Sequence, residues 1–331
     1  MKILITGATG FIGVHLCQYL GTRGHQLWIL ARNQQKYLRS QIPGNVIKGE
    51  LSYNSPNTWI KDLPQDLEVV IHLGGLIHSY AIGDFFNINA LATGQLLEDL
   101  KAYSSLHFIL ISSLAAIGPT PVEGQPPLGP ISAYGKSKKK AEGLLLECQS
   151  KGLLKTIIRP PIVLGPDDPA FGQILRQAQK GLFFYPAGGK DYRFSFISVF
   201  DLVKIIGDCF ERRPDPRLLS ATFIHPAYPR PFTFHDLGMA LKQLWGKSIF
   251  LMIPIPSFLL WITSRIFAAI HLLAPRVSLP ITPDKYREII AHDWISPAIS
   301  PENISTAWDL STILQKAIDS LKMKSGQTKV N

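Results

Sequence analysis

Two side chains that can exchange a proton stand one helical turn apart in the stretch Tyr134-Gly135-Lys136-Ser137-Lys138. Because helical residues four apart lie on one face, this spacing brings the Tyr134 phenol and the Lys138 ammonium together. A free tyrosine has a pKa of about 10, and a nearby ammonium lowers that pKa by favouring the phenolate. The pair therefore predicts an acid/base tyrosine assisted by a lysine. The alternative is an ordinary surface helix, because the same spacing is common by chance.

Two hydroxyl groups precede this pair in the chain. Residues 106–113 form an apolar run that ends in Ser112 and Ser113, which is typical of a buried strand, the fifth along the chain. Open α/β sheets place their chemistry at the carboxyl ends of the strands. We therefore expect these serines to lie at the same edge of the sheet as the predicted acid/base.

A glycine series near the start of the chain predicts a dinucleotide site. The apolar run Lys2–Thr6 is typical of a buried parallel strand, and Gly7, Gly10 and Gly13 follow it in a G-x-x-G-x-x-G series. Gly7 would form the tight turn, Gly10 would let the backbone approach a diphosphate, and Gly13 would let helix and strand pack closely. Residues 14–20 continue as a helix, whose first N–H groups favour an anion. An ordinary turn is the alternative, and the strand before the series and the helix after it argue against that.

The end of the second predicted strand bears on the choice of cofactor. An acidic residue at this place would bind the ribose 2′-hydroxyl of NAD. The chain has Ala31 and Arg32 there, and an arginine favours a 2′-phosphate. The sequence therefore predicts NADP, with NAD as the alternative cofactor and a solvated surface arginine as the alternative for Arg32.

Two further strands complete the predicted cofactor site. Residues 46–51 predict a third strand, whose Glu50 would reach the adenine edge. Residues 67–75 predict a fourth strand that ends in Gly74 and Gly75, where the backbone can lie against the cofactor. Apolar residues at helical spacing then predict a helix from Phe86 to Leu100.

Composition limits the class of protein and its partners. The chain has 331 residues with 46% hydrophobic and 18% charged residues, which excludes a disordered chain. Its formal charge of +10 favours anionic partners, namely a phosphorylated cofactor, an acidic substrate or an anionic membrane surface. Nucleic acid is not expected, because no recognition motif accompanies the charge. The three cysteines are far apart, no metal-ligand spacing occurs, and no secretory signal precedes the first strand, so we expect no metal and a cytoplasmic protein.

The order of the predicted elements indicates the fold. Alternating strands and helices predict an α/β protein with a doubly wound parallel sheet, the Rossmann architecture, and a smaller α-rich C-terminal substrate lobe. We expect the dinucleotide-binding domain to comprise residues 1–166 and 192–227, and the substrate lobe residues 167–191 and 228–331. Within the first of these, residues 218–224 predict a strand that returns to the main sheet.

The segment 249–273 is unusually apolar. Ser257 can cap a helix that is apolar nearly all round, but about 20 apolar residues are needed to span a bilayer and Arg265 interrupts this one. Two interpretations stay open. The helix lies in a membrane interface, with the protein peripheral on the inner face of a membrane, or it covers an oily substrate pocket and a partner subunit in a homodimer.

With these motifs in place, the sequence resembles the extended short-chain dehydrogenase/reductase family, also called the NAD-dependent epimerase/dehydratase family. The resemblance covers residues 1 to about 225 and is specific for the family but much less specific for the reaction. The oily C-terminal segment is similar, more loosely, to the branch containing 3β-hydroxysteroid dehydrogenases and dihydroflavonol reductases. The matching pieces are residues 7–13, 72–75, Asn89 with Thr93, Ser112-Ser113, 134–138, 159–166 and 193–202.

The resemblance implies a role for each matching residue. Tyr134 would be the acid/base, and Lys138 would hold the nicotinamide ribose and lower the pKa of the tyrosine. Ser113, five residues before Gly118 as in the family, would bind the substrate oxygen, and Asn89 would support the active site. A satisfied helix residue is the alternative for Asn89. The expected cofactor contacts are Gly7, Thr9, Gly10, Phe11, Ile12, Gly13, Arg32, Glu50, Leu51, Leu73, Gly74, Gly75, Tyr134, Lys138, Pro160 and Ile162.

These residues predict an NAD(P)-dependent oxidoreductase that acts on an alcohol or ketone of a largely apolar small molecule. One alternative is a nucleotide-sugar epimerase or 4-ketoreductase, which would use the same side chains. Relatives that bind nucleotide sugars carry an arginine where this chain has Phe194, with Arg193 one residue away. The other alternative is a non-catalytic assembly protein that keeps the cofactor as a structural ligand, and Ser113, Tyr134 and Lys138 argue against it.

Overall fold

The structure is a computed structural model that describes residues 1–121, 126–211, 221–274, 281–297 and 306–327. The strands are β1 Lys2–Thr6, β2 Gln26–Ala31, β3 Asn45–Lys48, β4 Val69–His72, β5 His107–Ile111, β6 Leu154–Ile158, β7 Ile162–Leu164, β8 Leu182–Pro186, β9 Arg193–Phe194, β10 Phe196–Ser198, β11 Thr222–Ile224, β12 Phe232–Thr233 and β13 Leu251–Ile255. The helices are α1 Phe11–Gly21, α2 Gln34–Ser40, α3 Ile82–Phe85, α4 Ala92–Asp99, α5 Ala133–Glu147, α6 Pro169–Gln179, α7 Val199–Glu211, α8 Phe234–Leu244, α9 Ser257–Leu273, α10 Pro283–Ile289 and α11 Leu310–Gln327.

A parallel sheet of seven strands organises the described residues. Its order is β11-β6-β5-β4-β1-β2-β3, and every neighbouring pair runs parallel. The strand order reverses between β1 and β4, and ligands of open α/β sheets bind in the crevice at such a reversal. The predicted Rossmann architecture is confirmed.

Helices cover both faces of this sheet, because successive apolar side chains of a strand point to opposite faces and both faces must be buried. Ile5 packs with Leu16 of α1 and Ile206 of α7 on one face. Leu4, the residue before it, points the other way and packs in a second cluster with Leu145 of α5. Both faces of β1 are therefore buried, which explains its continuous apolar run.

Some predicted boundaries differ from the structure. The third strand ends at Lys48, so Glu50 lies in the following loop and not on a strand. The helix predicted from Phe86 begins earlier, at Ile82, and passes through a π-helical turn before α4. The predicted returning strand is confirmed as β11, which pairs with β6, while residues 218–220 of that prediction lie outside the described residues.

The C-terminal part of the chain contributes to a further apolar core, separate from the two clusters on the faces of the sheet. Phe183, Phe232, Leu241 and Ile313 are buried in it, and short two-stranded sheets join β7 to β10, β8 to β13 and β9 to β12. Helix α9 packs against α10, and Ser264 is its one buried residue. Its N-cap is Pro256, so Ser257 begins the helix and does not cap it as predicted. No helix in the described part of the chain combines the length and the apolar character that a membrane span requires.

Candidate active site

The glycine turn after β1 has the shape that a bound diphosphate requires. Gly7 has a φ of +73°, a left-handed conformation that glycine adopts without strain. A Cβ on Gly13 would lie 2.4 Å from the Gly7 carbonyl oxygen, so glycine is needed for α1 to pack on this turn. At Gly10 the nearest atom to a Cβ would be that same oxygen, at 3.1 Å. In the described structure no side chain caps α1, so its first N–H groups are available to an anion.

The glycines after β4 form the opposite side of the same crevice. A Cβ on Gly74 would lie 2.7 Å from Leu51 and 3.0 Å from the Thr6 hydroxyl. The backbone of Gly74 therefore lies directly against Leu51 and Thr6, and a side chain at this position would clash with them. With the turn after β1, these residues fit a nicotinamide dinucleotide, which supplies the hydride when it is bound.

Four other predicted cofactor contacts follow β2, β3 and β6 or lie on β7. Arg32 directly follows β2, and its side chain is exposed. Glu50 is also exposed, and its carbonyl accepts a hydrogen bond from the Trp59 indole at 3.0 Å. Ile162 on β7 is partly exposed while Pro160 is buried. The contacts of these residues with a cofactor stay predictions.

Ser113 and Tyr134 come together at the carboxyl edge of the sheet. Their side chains lie close enough for the Ser113 hydroxyl to influence the phenol of Tyr134, and the ring of Tyr134 packs edge-on against Phe85 with centroids 6.3 Å apart. Tyr134 lies in the first turn of α5, and Ser113 follows β5, so packing of α5 on the sheet brings them together. The hydroxyl of Ser112 points elsewhere and donates to Glu142 at 2.6 Å. The structure therefore separates the two serines that the sequence placed side by side.

Lys138 and Asn89 lie behind this pair. Lys138 is buried, and its Nζ donates to the Ile111 carbonyl at 2.7 Å. Asn89 sits on the π-helical turn, accepts from the Leu76 N–H at 2.6 Å and donates to the Ser137 hydroxyl at 2.9 Å. It therefore ties the loop after β4 to α5, and its supporting role in the active site stays a prediction.

The surrounding protein shifts the pKa of both titratable groups. Desolvation raises the pKa of Tyr134 to about 12; the hydrogen bond with Ser113 opposes this rise, and the Glu288 carboxylate adds to it. Desolvation lowers the pKa of Lys138 to about 8, against the effect of the nearby Glu142. The predicted lowering of the tyrosine pKa by Lys138 is therefore wrong in this structure. Burial is the largest cause of the raised tyrosine pKa, and the Lys138 ammonium is directed at the Ile111 carbonyl.

A buried ion pair anchors α5 to the sheet, and the sequence analysis missed it. Glu142 accepts from Arg159 Nε at 2.8 Å and from the guanidinium Nη2 at 2.7 Å, in addition to the Ser112 hydroxyl. Arg159 also lies over the ring of Phe223. The available signal was the spacing, because Glu142 follows Lys138 by one helical turn and so shares its inward face.

His72 is a structural residue. Its Nδ1 lies 2.7 Å from the Thr6 hydroxyl and its Nε2 lies 2.9 Å from the Thr93 hydroxyl. Desolvation is the largest cause that lowers its pKa to about 3, so the ring stays neutral. In the described parts of the chain, no group of His, Cys, Asp or Glu side chains could hold a metal ion.

Phe194 and Arg193 have clear structural roles. Phe194 is buried and packs edge-on against Phe234 with centroids 4.8 Å apart. Arg193 forms an ion pair with Asp293, and its Nε lies 2.7 Å from that carboxylate. The arginine adjacent to the position that nucleotide-sugar enzymes use is therefore already paired within the protein.

Comparison with known proteins identifies the family to which the sequence belongs. The sequence model of the NAD-dependent epimerase/dehydratase family matches residues 3–214. Ceramide reductase of Caulobacter vibrioides is 27% identical over 307 residues, which cover 90% of this chain and 87% of that protein. Sterol-4-alpha-carboxylate 3-dehydrogenase (decarboxylating) of Dictyostelium discoideum is 27% identical over 207 residues, 58% of this chain and 62% of its own.

Solved structures share the whole fold at low sequence identity. UDP-glucuronic acid 4-epimerase from Bacillus cereus, in complex with UDP-glucuronic acid and NAD, superposes with a TM-score of 0.69 at 21% identity. That match covers 98% of this chain and 100% of the other. A human epimerase family protein with NADPH gives a TM-score of 0.70 at 17% identity, over 96% and 99% of the two chains. At these identities the likeness shows the fold.

Proposed function

This chain belongs to the NAD-dependent epimerase/dehydratase family as an NAD(P)-dependent oxidoreductase, and on that premise we propose that it transfers a hydride between NADP(H) and an alcohol or ketone of a largely apolar substrate. The observation that carries this proposal is the placement of Ser113 after β5 and of Tyr134 in the first turn of α5, beside the buried Lys138 at the carboxyl edge of the sheet. The Tyr134 phenol is protonated at neutral pH, so it carries the proton that a carbonyl oxygen takes up when the carbonyl is reduced.

Two observations support an apolar substrate over a nucleotide sugar. The relatives described above are named for ceramide and for a sterol carboxylate, and both molecules have large apolar parts. In addition, Phe194 belongs to the core and Arg193 is paired with Asp293, so neither is suited to bind a sugar diphosphate. We take the lobe of residues 167–191 and 228–331 as the substrate side.

For the cofactor we propose NADP over NAD. Arg32 follows β2 with an exposed side chain, and its guanidinium is suited to a 2′-phosphate. A charge-assisted hydrogen bond stabilises by roughly 1.5 to 3 kcal/mol, which corresponds to about a tenfold to hundredfold preference.

The test is a panel of long-chain and steroid ketones, with UDP-hexoses beside them, assayed with NADPH and with NADH. We expect the apolar ketones to be reduced and NADPH to bind about tenfold to hundredfold more tightly than NADH. Arg32→Ala is expected to remove this preference by weakening NADPH binding. Arg39→Ala, in the last turn of α2, is the matched control and is expected to keep it.

Three results would argue against the proposal. Interconversion of UDP-hexoses without reduction of any apolar ketone would favour the epimerase alternative. Tight cofactor binding without turnover across the panel would favour a non-catalytic assembly protein. Equal affinities for NADPH and NADH in the parent protein would reject the role given to Arg32.

We also propose that α9 contacts the cytoplasmic face of an anionic membrane. Its large apolar side chains are exposed, by 62% at Phe258, 47% at Trp261 and 88% at Leu273. The sequence has no acidic residue between Asp236 and Asp284, whereas it has several basic ones there. Apolar surface flanked by positive charge is typical of a helix that lies in a lipid interface.

Co-sedimentation with anionic vesicles tests this contact. We expect the parent protein to bind, and the binding to weaken in salt without disappearing, because apolar burial contributes besides charge. Replacing Phe258 and Trp261 by serine is expected to reduce vesicle binding while NADPH affinity in solution persists. If α9 instead meets a second copy of the chain, the same changes will dissociate a dimer, and the parent will stay in the supernatant at low salt.

A further inference from the structure

The first turn of α5, the helix that carries Tyr134 and Lys138, is held by a carboxylate from the other end of the chain. A helix start has N–H groups without partners inside the helix. The N-cap residue Ser132 accepts from the Gly135 N–H at 2.9 Å. Of the remaining donors, the Ala133 N–H donates to Asp284 Oδ1 at 2.6 Å and the Tyr134 N–H donates to Asp284 Oδ2 at 3.2 Å.

Asp284 is held firmly in place on α10. Thr282 caps this short helix by accepting from the Lys285 N–H at 3.0 Å. One turn further on, Glu288 accepts from the Ser132 hydroxyl at 2.6 Å, so α10 contacts the start of α5 at a second point. The indole of Trp294 donates to the Glu288 carbonyl at 3.2 Å and fixes the end of α10.

We propose that Asp284 is a positioning residue for the reaction, because its carboxylate holds the backbone of Tyr134 and thereby keeps the phenol beside Ser113. The proposal rests on the proposed function, in which Tyr134 is the acid/base. One oxygen bonds the residue before Tyr134 and the other bonds Tyr134 itself, so the carboxylate restrains two successive peptide groups. Its negative charge also lies at the positive end of the α5 dipole.

The geometry explains why a remote residue affects the chemical step. Misplacement of a reacting group by about 1 Å costs about a hundredfold in rate. In the hydrogen bonds above, Asp284 contacts neither the glycine turn after β1 nor the loop after β4. Lys138, the predicted ribose contact on α5, is held separately by the Ile111 carbonyl. Loss of the carboxylate should therefore lower kcat and leave the affinity for NADPH unchanged.

The experiment compares Asp284→Ala and Asp284→Asn with Asp309→Ala, which removes a carboxylate cap from α11, where Asp309 Oδ1 accepts from the Thr312 N–H at 2.8 Å. With the best ketone of the panel, we expect Asp284→Ala to lower kcat about tenfold to a hundredfold with the KM for NADPH within twofold. Asp284→Asn keeps one acceptor oxygen and should recover part of the loss. Asp309→Ala should keep kcat within twofold.

A second measurement does not depend on the substrate. Amide hydrogen exchange of the peptide that contains Ala133 and Tyr134 should become at least tenfold faster in Asp284→Ala and stay unchanged in Asp309→Ala. An unchanged exchange rate, or a folded Asp284→Ala variant with kcat within twofold of the parent, would overturn the proposal. An equal loss of kcat in Asp309→Ala would also overturn it. If the parent reduces no ketone, the proposed function fails while the exchange measurement still tests the cap.

Discussion

Replacing Tyr134 by phenylalanine is expected to lower kcat by a factor of about 10² to 10⁴, the usual effect of losing one positioned acid/base. The change removes the phenolic oxygen beside Ser113 and leaves the ring, which packs against Phe85. Since the substitution changes neither Lys138 nor the glycine turns, which supply other predicted cofactor contacts, NADPH affinity should stay within twofold. Steady-state reduction of the best apolar ketone and a cofactor titration give both values.

Tyr103→Phe is the control for this prediction. Tyr103 lies after α4 and packs at the margin of the apolar cluster beneath the sheet, away from Ser113. Removing the Tyr103 hydroxyl should leave turnover unchanged. Activity of Tyr134→Phe within threefold of the parent would contradict the assignment of Tyr134 as the acid/base. Loss of NADPH binding in that variant would indicate that the substitution disturbs the crevice instead.

Replacing Glu142 by alanine is expected to lower the free energy of unfolding by about 3 to 5 kcal/mol, because breaking a buried ion pair leaves the other charge without compensation. Glu142 is fully buried, and the guanidinium of Arg159 makes two hydrogen bonds to it. The Ser112 hydroxyl would lose its acceptor at the same time. Chemical denaturation of parent and variant measures the difference.

Two comparisons make this second prediction specific. Glu98→Ala removes an exposed carboxylate from the surface pair with Lys101, and it should change stability far less than Glu142→Ala does, because solvent screens an exposed pair. The double change Glu142→Ala with Arg159→Met removes both buried charges and should recover part of the lost stability. A loss for Glu142→Ala no larger than that for Glu98→Ala would show that the buried pair does not anchor α5.

The two predictions concern one helix. Tyr134 in the first turn of α5 performs the proposed proton transfer, Lys138 one turn later lies under the crevice, and Glu142 one turn after that fixes the helix to the sheet. Asp284 holds the start of the same helix from α10. The helix is therefore restrained at its N-terminus and on its inner face, which keeps the phenol at a defined place.

The sequence by itself determined the features that depend on neighbours along the chain. The apolar run Lys2–Thr6 and the three glycines after it predicted the first strand, the turn and the helix start, because backbone conformation and burial there follow local residue types. The one-turn spacing of Tyr134 and Lys138 placed both on one helix for the same reason. The glycines after β4 were placed in the crevice by their position at a strand end.

The tertiary structure decided what depends on contacts between distant segments. Ser112 and Ser113 are adjacent in sequence, and only the packing of α5 on the sheet directs one to Glu142 and the other to Tyr134. The pKa of Tyr134 is raised and not lowered, because burial is a property of the whole environment and not of the Lys138 spacing. Asp284 reaches the start of α5 across about 150 residues of sequence. No periodicity or local preference encodes such a contact, since it forms only when α10 packs against the start of α5.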